Sequence, residues 1–237
     1  MKKLLLIKCG DTIPELVARR GDFEDWIIAG IGIDREQTVA VNVEKNEPLP
    51  DPDSVSGVII SGSHAMVTEH RPWSERTAEW LAETVGKLPI LGICYGHQLL
   101  GYALGGTVAD NPRGREMGTV QINFTPAAAE DRLLGHFNPD INAQVSHKQS
   151  LITLPADAVH LASSAREPNQ AFRFGDKTWG VQFHPEFDAD ITTAYVDYCA
   201  GFLRDEGQNP AEIRRSCIDS TSGHTLLKHF NQILSEP

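Results

Sequence analysis

The chain has 237 residues, 41% of them hydrophobic and 22% charged, with a formal net charge of -11. That length and balance fit a single globular domain with a full core. The acidic surface, with no basic cluster to offset it, excludes nucleic acid as a partner, and no apolar run approaches the ~20 residues of a membrane span.

Met1-Lys2-Lys3 is followed by four apolar residues and then Lys8, too short a run for the core of a signal peptide. Lys3–Lys8 reads as a first strand and Phe23–Ile31 as a helix. Thr38–Val43 and Gly57–Ile60 read as strands, the second broken by Ser61-Gly62-Ser63. Ser74–Val85 has helical spacing. Pro89–Ile93 reads as a buried strand, leading into a helix from Tyr95 to about Leu104 that Gly105-Gly106 ends. From Thr107 to Phe183 short β segments dominate: Thr119–Phe124, Ala143–His147, Val159–Ser163, Gln170–Phe174 and Trp179–Phe183. Helical patterns return at Ile191–Leu203, Asn209–Cys217 and Thr225–Leu234. Apolar runs alternating with amphipathic stretches predict an α/β fold. The simplest division is one domain, residues 1–237, with a catalytic core over about 1–204 and a helical appendage over about 205–237.

Four cysteines, Cys9, Cys94, Cys199 and Cys217, stand far apart without zinc-ligand spacing. They read as free thiols in a reducing cytoplasm, and no metal site or cofactor is expected. Cys94 differs from the others in its surroundings. Gly92-Ile93-Cys94-Tyr95-Gly96 is a strand that turns sharply into a helix, with glycines where backbones must pass closely. Such a turn exposes the thiol at a helix N-terminus, where free N–H groups and the helix dipole favour a thiolate. The N–H of Tyr95 points where an oxyanion would develop. Cys9, Cys199 and Cys217 read as small buried hydrophobes.

Ninety residues on, Gln182-Phe183-His184-Pro185-Glu186 supplies a base and its orienter. Proline forces His184 into an extended conformation, and residues i and i+2 of an extended segment project to one side. His184 and Glu186 therefore leave the strand end together, and the carboxylate can fix the imidazole tautomer. Among the other histidines, His64 and His97 lie in segments expected to flank the site and His147 could approach it. His70, His136, His160, His224 and His229 read as surface residues.

Together these residues resemble the class I, or triad, glutamine amidotransferases. The matching elements are the elbow Gly92-Ile93-Cys94-Tyr95-Gly96-His97-Gln98, the strand end Gln182 to Glu186, and the glycine turn Ile59-Ile60-Ser61-Gly62-Ser63. The resemblance implies a flavodoxin-like fold with a mostly parallel central sheet flanked by helices. It implies that Cys94 attacks the γ-carboxamide of glutamine, with His184 as acid/base, Glu186 orienting it, and the N–H groups of Gly62 and Tyr95 as the oxyanion hole. Gln98 would help to hold glutamine, and backbone around Ser146, Lys148 and Gln149 would bind its amino-acid end.

Leu91–Gly106 and Gly180–Phe187 look most like the amidotransferase part of GMP synthetases. Those enzymes add a domain with a glycine-rich phosphate loop, which these 237 residues lack. An acceptor would then be served by a separate synthetase subunit. Ser61-Gly62-Ser63-His64 stands where synthetases usually have Gly-Gly-Pro. With the tail beyond Asp205, it is similar to the γ-glutamyl peptidases. A γ-glutamyl hydrolase would use the same thiolate and differ only in its leaving-group pocket, for which Ser63, His64 and Arg113-Gly114-Arg115-Glu116 are the candidates. A non-catalytic binding module and another cysteine hydrolase on the same sheet are the remaining alternatives.

Overall fold

The computed structural model describes residues 2–137 and 140–236. In chain order the elements are β1 (Lys3–Lys8), α1 (Pro14–Arg20), α2 (Phe23–Ile31), β2 (Thr38–Asn42), β3 (Val55–Ile60), α3 (Pro72–Thr84), β4 (Ile90–Ile93) and α4 (Tyr95–Ala103). There follow β5 (Thr107–Asp110), β6 (Glu116–Phe124), β7 (Ile141–His147), β8 (Gln149–Thr153), β9 (Ala158–Ser163), β10 (Ala171–Phe174) and β11 (Thr178–Val181). Four helices close the chain: α5 (Ala189–Tyr198), α6 (Ala200–Asp205), α7 (Pro210–Ser216) and α8 (Ser222–Leu234).

A nine-stranded sheet runs in the order β2-β1-β3-β4-β11-β10-β9-β6-β7, and β5 pairs with β8 separately. The α/β class is as the sequence implies, but the sheet is mixed. Its first half, from β2 to β11, is parallel, and its second half, from β11 to β7, is antiparallel. The parallel half is buried on both faces, which is why its strands read as continuous apolar runs. In β1, Leu4 and Leu6 join one core cluster while Leu5 and Ile7 join the other, the period-2 alternation of a strand between two helical layers.

Local signals set the helices. Asp22 and Asp25 form a capping box at the start of α2, and Gly32 ends it in the left-handed region. The single helical pattern over Ile191–Leu203 is two helices that meet at Cys199. The tail is not an appendage. Leu226, Leu227, Phe230 and Ile233 of α8 sit in the same core cluster as Leu4, Leu6 and Trp179, so α8 is part of the main hydrophobic layer. Among the described residues no helix is long and apolar enough to cross a membrane.

Candidate active site

β4 and β11 lie side by side in parallel, with Ile93 opposite Val181. Their C-terminal ends carry Cys94 and the His184–Glu186 segment, so two motifs ninety residues apart meet by strand pairing. Cys94 has φ 51° and ψ -100°. For a residue with a side chain this is a strained conformation, worth on the order of 1–3 kcal/mol. Its neighbours require glycine. A Cβ on Gly92 would come within 2.5 Å of the Gly96 carbonyl, and one on Gly96 within 2.5 Å of the Ile60 carbonyl. The elbow therefore fits only because α4 presses onto β3 and β4 without side chains between them.

The His184 backbone N–H donates to the Gln144 carbonyl of β7 at 2.8 Å. Its ring Nδ1 donates to Glu186 Oε1 at 2.7 Å, leaving the other ring nitrogen for the Cys94 side chain. Burial works against the imidazolium, but the Glu186 carboxylate and then Cys94 outweigh it, and the His184 pKa rises to about 10. Phe187 stacks on the imidazole with centroids 3.9 Å apart, and Phe23 lies beyond it. This aromatic wall escaped the sequence reading, although Phe187 directly follows the His-Pro-Glu run.

Ser63, His64, Tyr95, Gln98, Ser146, Lys148 and Gln149 line one cleft with Cys94 and His184. Gly62 borders it from behind the imidazole, where an added Cβ would stand 3.0 Å from His184 Cε1. The Ser61 hydroxyl fixes that turn, accepting from the Cys9 N–H at 3.0 Å and donating to the Gly62 carbonyl at 2.9 Å. Cys94 Sγ faces the Ser146 carbonyl at 3.8 Å.

The Gln98 side chain, expected to hold glutamine, is already engaged within the protein, as are the side chains of Gln149 and Lys148. The Gln98 amide nitrogen donates to the Gln149 carbonyl and to Gln182 Oε1, both at 2.9 Å. The Gln149 amide donates to Thr68 Oγ1 at 2.7 Å and to Asp110 at 3.0 Å. Lys148 pairs with Asp110 at 2.8 Å. His64 stands at the rim, stacked on Tyr195.

His97 does not flank the cleft. It is buried against Phe172, and burial pushes its pKa down to about 3. His147 does approach, from below. Its ring bonds to the Gln149 carbonyl at 2.9 Å and to Glu116 at 3.2 Å. Glu116 thus supports the cleft floor, while Arg113 turns outward to the Ala165 carbonyl. The other cysteines are free thiols, and burial raises the pKa of Cys9, Cys199 and Cys217 alike. Among the described residues no cluster of three His, Cys, Asp or Glu side chains could hold a metal ion.

The comparison with known families settles membership. The model described as "Glutamine amidotransferase class-I" matches residues 26–196. This chain belongs to the class-I glutamine amidotransferase family, a family of enzymes. It is 35% identical over 212 residues to a "GMP synthase [glutamine-hydrolyzing]" of Porphyromonas gingivalis, an alignment covering 86% of this chain and 38% of that one. The chain thus spans well under half the length of that relative. It is also 35% identical over 147 residues to a protein of Saccharolobus solfataricus named as one subunit of a glutamine-hydrolysing GMP synthase, covering 61% of this chain and 74% of the relative. A glutamine amidotransferase of Thermotoga maritima shares the fold over the full length of both chains, with TM-score 0.77 at 20% identity.

Proposed function

We propose that the chain hydrolyses the γ-carboxamide of glutamine through Cys94. The Cys94 thiolate attacks the side-chain carbonyl carbon, and the oxygen's developing charge is met by the N–H groups of Gly62 and Tyr95. His184, protonated and held by Glu186, gives its proton to the departing nitrogen, which leaves as ammonia. Water then attacks the γ-glutamyl thioester, His184 takes a proton from that water, and glutamate leaves with Cys94 free again. The observation that carries this reading is the strained turn at Cys94 beside a buried His184–Glu186 pair just past the end of the adjoining strand. A non-catalytic module has no use for such strain.

The ammonia would serve a separate synthetase subunit. The support is the S. solfataricus relative, whose name makes it one part of a larger synthase. A second reading, cleavage of larger γ-glutamyl compounds, draws on Ser63 and His64 at the cleft wall, where a leaving group would lie. Glutamate release from glutamine and from glutathione, measured side by side on the wild type and Cys94→Ala, tests both. Faster release from glutamine supports the amidotransferase reading, and faster release from glutathione replaces it with the peptidase. Release that survives in Cys94→Ala contradicts both.

A further inference from the structure

Arg115 lines the same cleft as Cys94, in a chain whose overall charge is strongly negative. Among the described residues that line it, none is an aspartate or glutamate, and the charged side chains there are Arg115 and Lys148, besides histidines. The two cations differ in their engagement. Lys148 is tied to Asp110 at 2.8 Å. Arg115 faces Glu206 more loosely, with Nε and Nη2 each 3.4 Å from a carboxylate oxygen, and the buried Nε contact falls short of a hydrogen bond. A buried guanidinium N–H held at that length is poorly satisfied, and a closer carboxylate is the group whose geometry matches the guanidinium fork.

The side chain is held ready rather than free. It is 13% exposed, its guanidinium lies over the Phe202 ring at 5.7 Å, and Gln208 fixes its backbone carbonyl at 2.9 Å. Register gives its place relative to the thiol. Met117 stands opposite Ser146, the residue whose carbonyl faces Cys94 Sγ. Arg115 is two residues before Met117, on the same side and roughly 6–7 Å further along an extended chain. A γ-glutamyl group attacked at its carbonyl carbon carries its α-carboxylate carbon four carbon–carbon bonds away, roughly 5 Å when extended, in that range once the guanidinium's own reach is included.

We propose that Arg115 binds the α-carboxylate of the γ-glutamyl substrate and so selects substrates that carry one. This rests on the glutamine reading above, and the test separates the two. Cys94 labelling is followed by mass spectrometry with two reagents: 6-diazo-5-oxo-L-norleucine, which carries the α-carboxylate, and iodoacetamide, which does not. Arg115→Gln is expected to slow labelling by the first, below saturation, about tenfold or more, the weight of a charge-assisted pair. Iodoacetamide labelling stays unchanged, Arg115→Lys recovers part of the loss, and KM for glutamine rises while kcat holds. Unchanged labelling by the carboxylate reagent in Arg115→Gln overturns the assignment. Equal slowing with both reagents also overturns it, since that is the signature of a merely structural residue. A wild type that reacts with iodoacetamide but not with the carboxylate reagent would sink the glutamine reading itself, and with it the role of Arg115.

Discussion

His184 Nδ1 donates to Glu186 Oε1 at 2.7 Å, with the carboxylate almost fully buried behind the ring. The two residues are held by a turn over Pro185 and Glu186, closed by the Phe187 N–H donating to the His184 carbonyl at 3.4 Å, rather than by the shared face of an extended strand. The pair therefore presents one fixed ring nitrogen toward Cys94, and the charge of Glu186 favours the imidazolium.

Replacing Glu186 with glutamine removes that charge and keeps the size. Glutamine hydrolysis is expected to fall by a factor on the order of 10³–10⁴, as for an orienting carboxylate in a comparable triad. The stability consequence has a definite sign. His184 titrates at about 10 when folded and near 6.5 when unfolded, so its charged form contributes stability fully below pH ~6.5, and the contribution is lost as pH rises through about 10. The melting temperature of the wild type should exceed that of Glu186→Gln most near pH 6, with the gap closing toward pH 10. A gap that widens with pH would contradict the charged assignment.

The strain at Cys94 separates stability from activity. Cys94→Gly adopts φ 51° freely, which relieves on the order of 1–3 kcal/mol, against roughly 0.5–1 kcal/mol of added chain entropy when unfolded. Urea unfolding should find this variant at least as stable as Cys94→Ala, with both inactive. A Gly variant clearly weaker than the Ala variant would mean that the turn is not strained.

Gly96 is required by contact rather than by φ. An alanine there places its methyl 2.5 Å from the Ile60 carbonyl, so α4 must move off β3. The expected cost is about 1–3 kcal/mol, the range of overpacked cores, with slower Cys94 alkylation because the elbow moves too. Gly201 in α6, whose added Cβ meets nothing within 4 Å, is the control: Gly201→Ala should leave alkylation unchanged and stability equal or higher by up to about 1 kcal/mol.

Lys8 ties β1 to the start of α2, pairing with Asp22 at 2.7 Å and Glu24 at 2.9 Å. Asp22 also accepts from the Thr12 N–H at 2.8 Å, and the Thr12 hydroxyl bonds to Tyr195 in the cleft wall at 2.7 Å. Lys8→Met leaves the buried Asp22 carboxylate without its cation, at a cost of about 3–5 kcal/mol. Denaturant unfolding at neutral pH measures it. A loss below about 1 kcal/mol would place this cluster with ordinary surface pairs.

What the sequence made legible were features with local causes. Gly92 and Gly96 around Cys94 announce a tight elbow because only glycine fits there; the His-Pro-Glu run announces a His184–Glu186 pair, but the two meet across a turn at Pro185 and Glu186 and not along an extended segment. Apolar runs in the parallel half declare themselves because both faces are buried. The antiparallel half was less legible, since β6 pairs with β7 and β9 through contacts that no local pattern encodes. For the same reason α8 resembled a tail: its buried stripe of Leu226, Leu227, Phe230 and Ile233 does not say which layer it joins. Helix α1 carries no apolar stripe to announce it, since Pro14–Arg20 buries only Leu16. The motif position of His97 does not say which way α4 turns it, and it faces Phe172 in the core instead of the cleft.

The central claim is that Cys94 carries the γ-glutamyl group. The most direct test is to mix the protein with glutamine, quench in acid within the first turnover, and read the intact mass and the peptide that bears Cys94. A γ-glutamyl adduct on Cys94, formed with one ammonia released per adduct and absent in Cys94→Ala, is the predicted result. Ammonia released with no adduct at Cys94, and undiminished in Cys94→Ala, would contradict it.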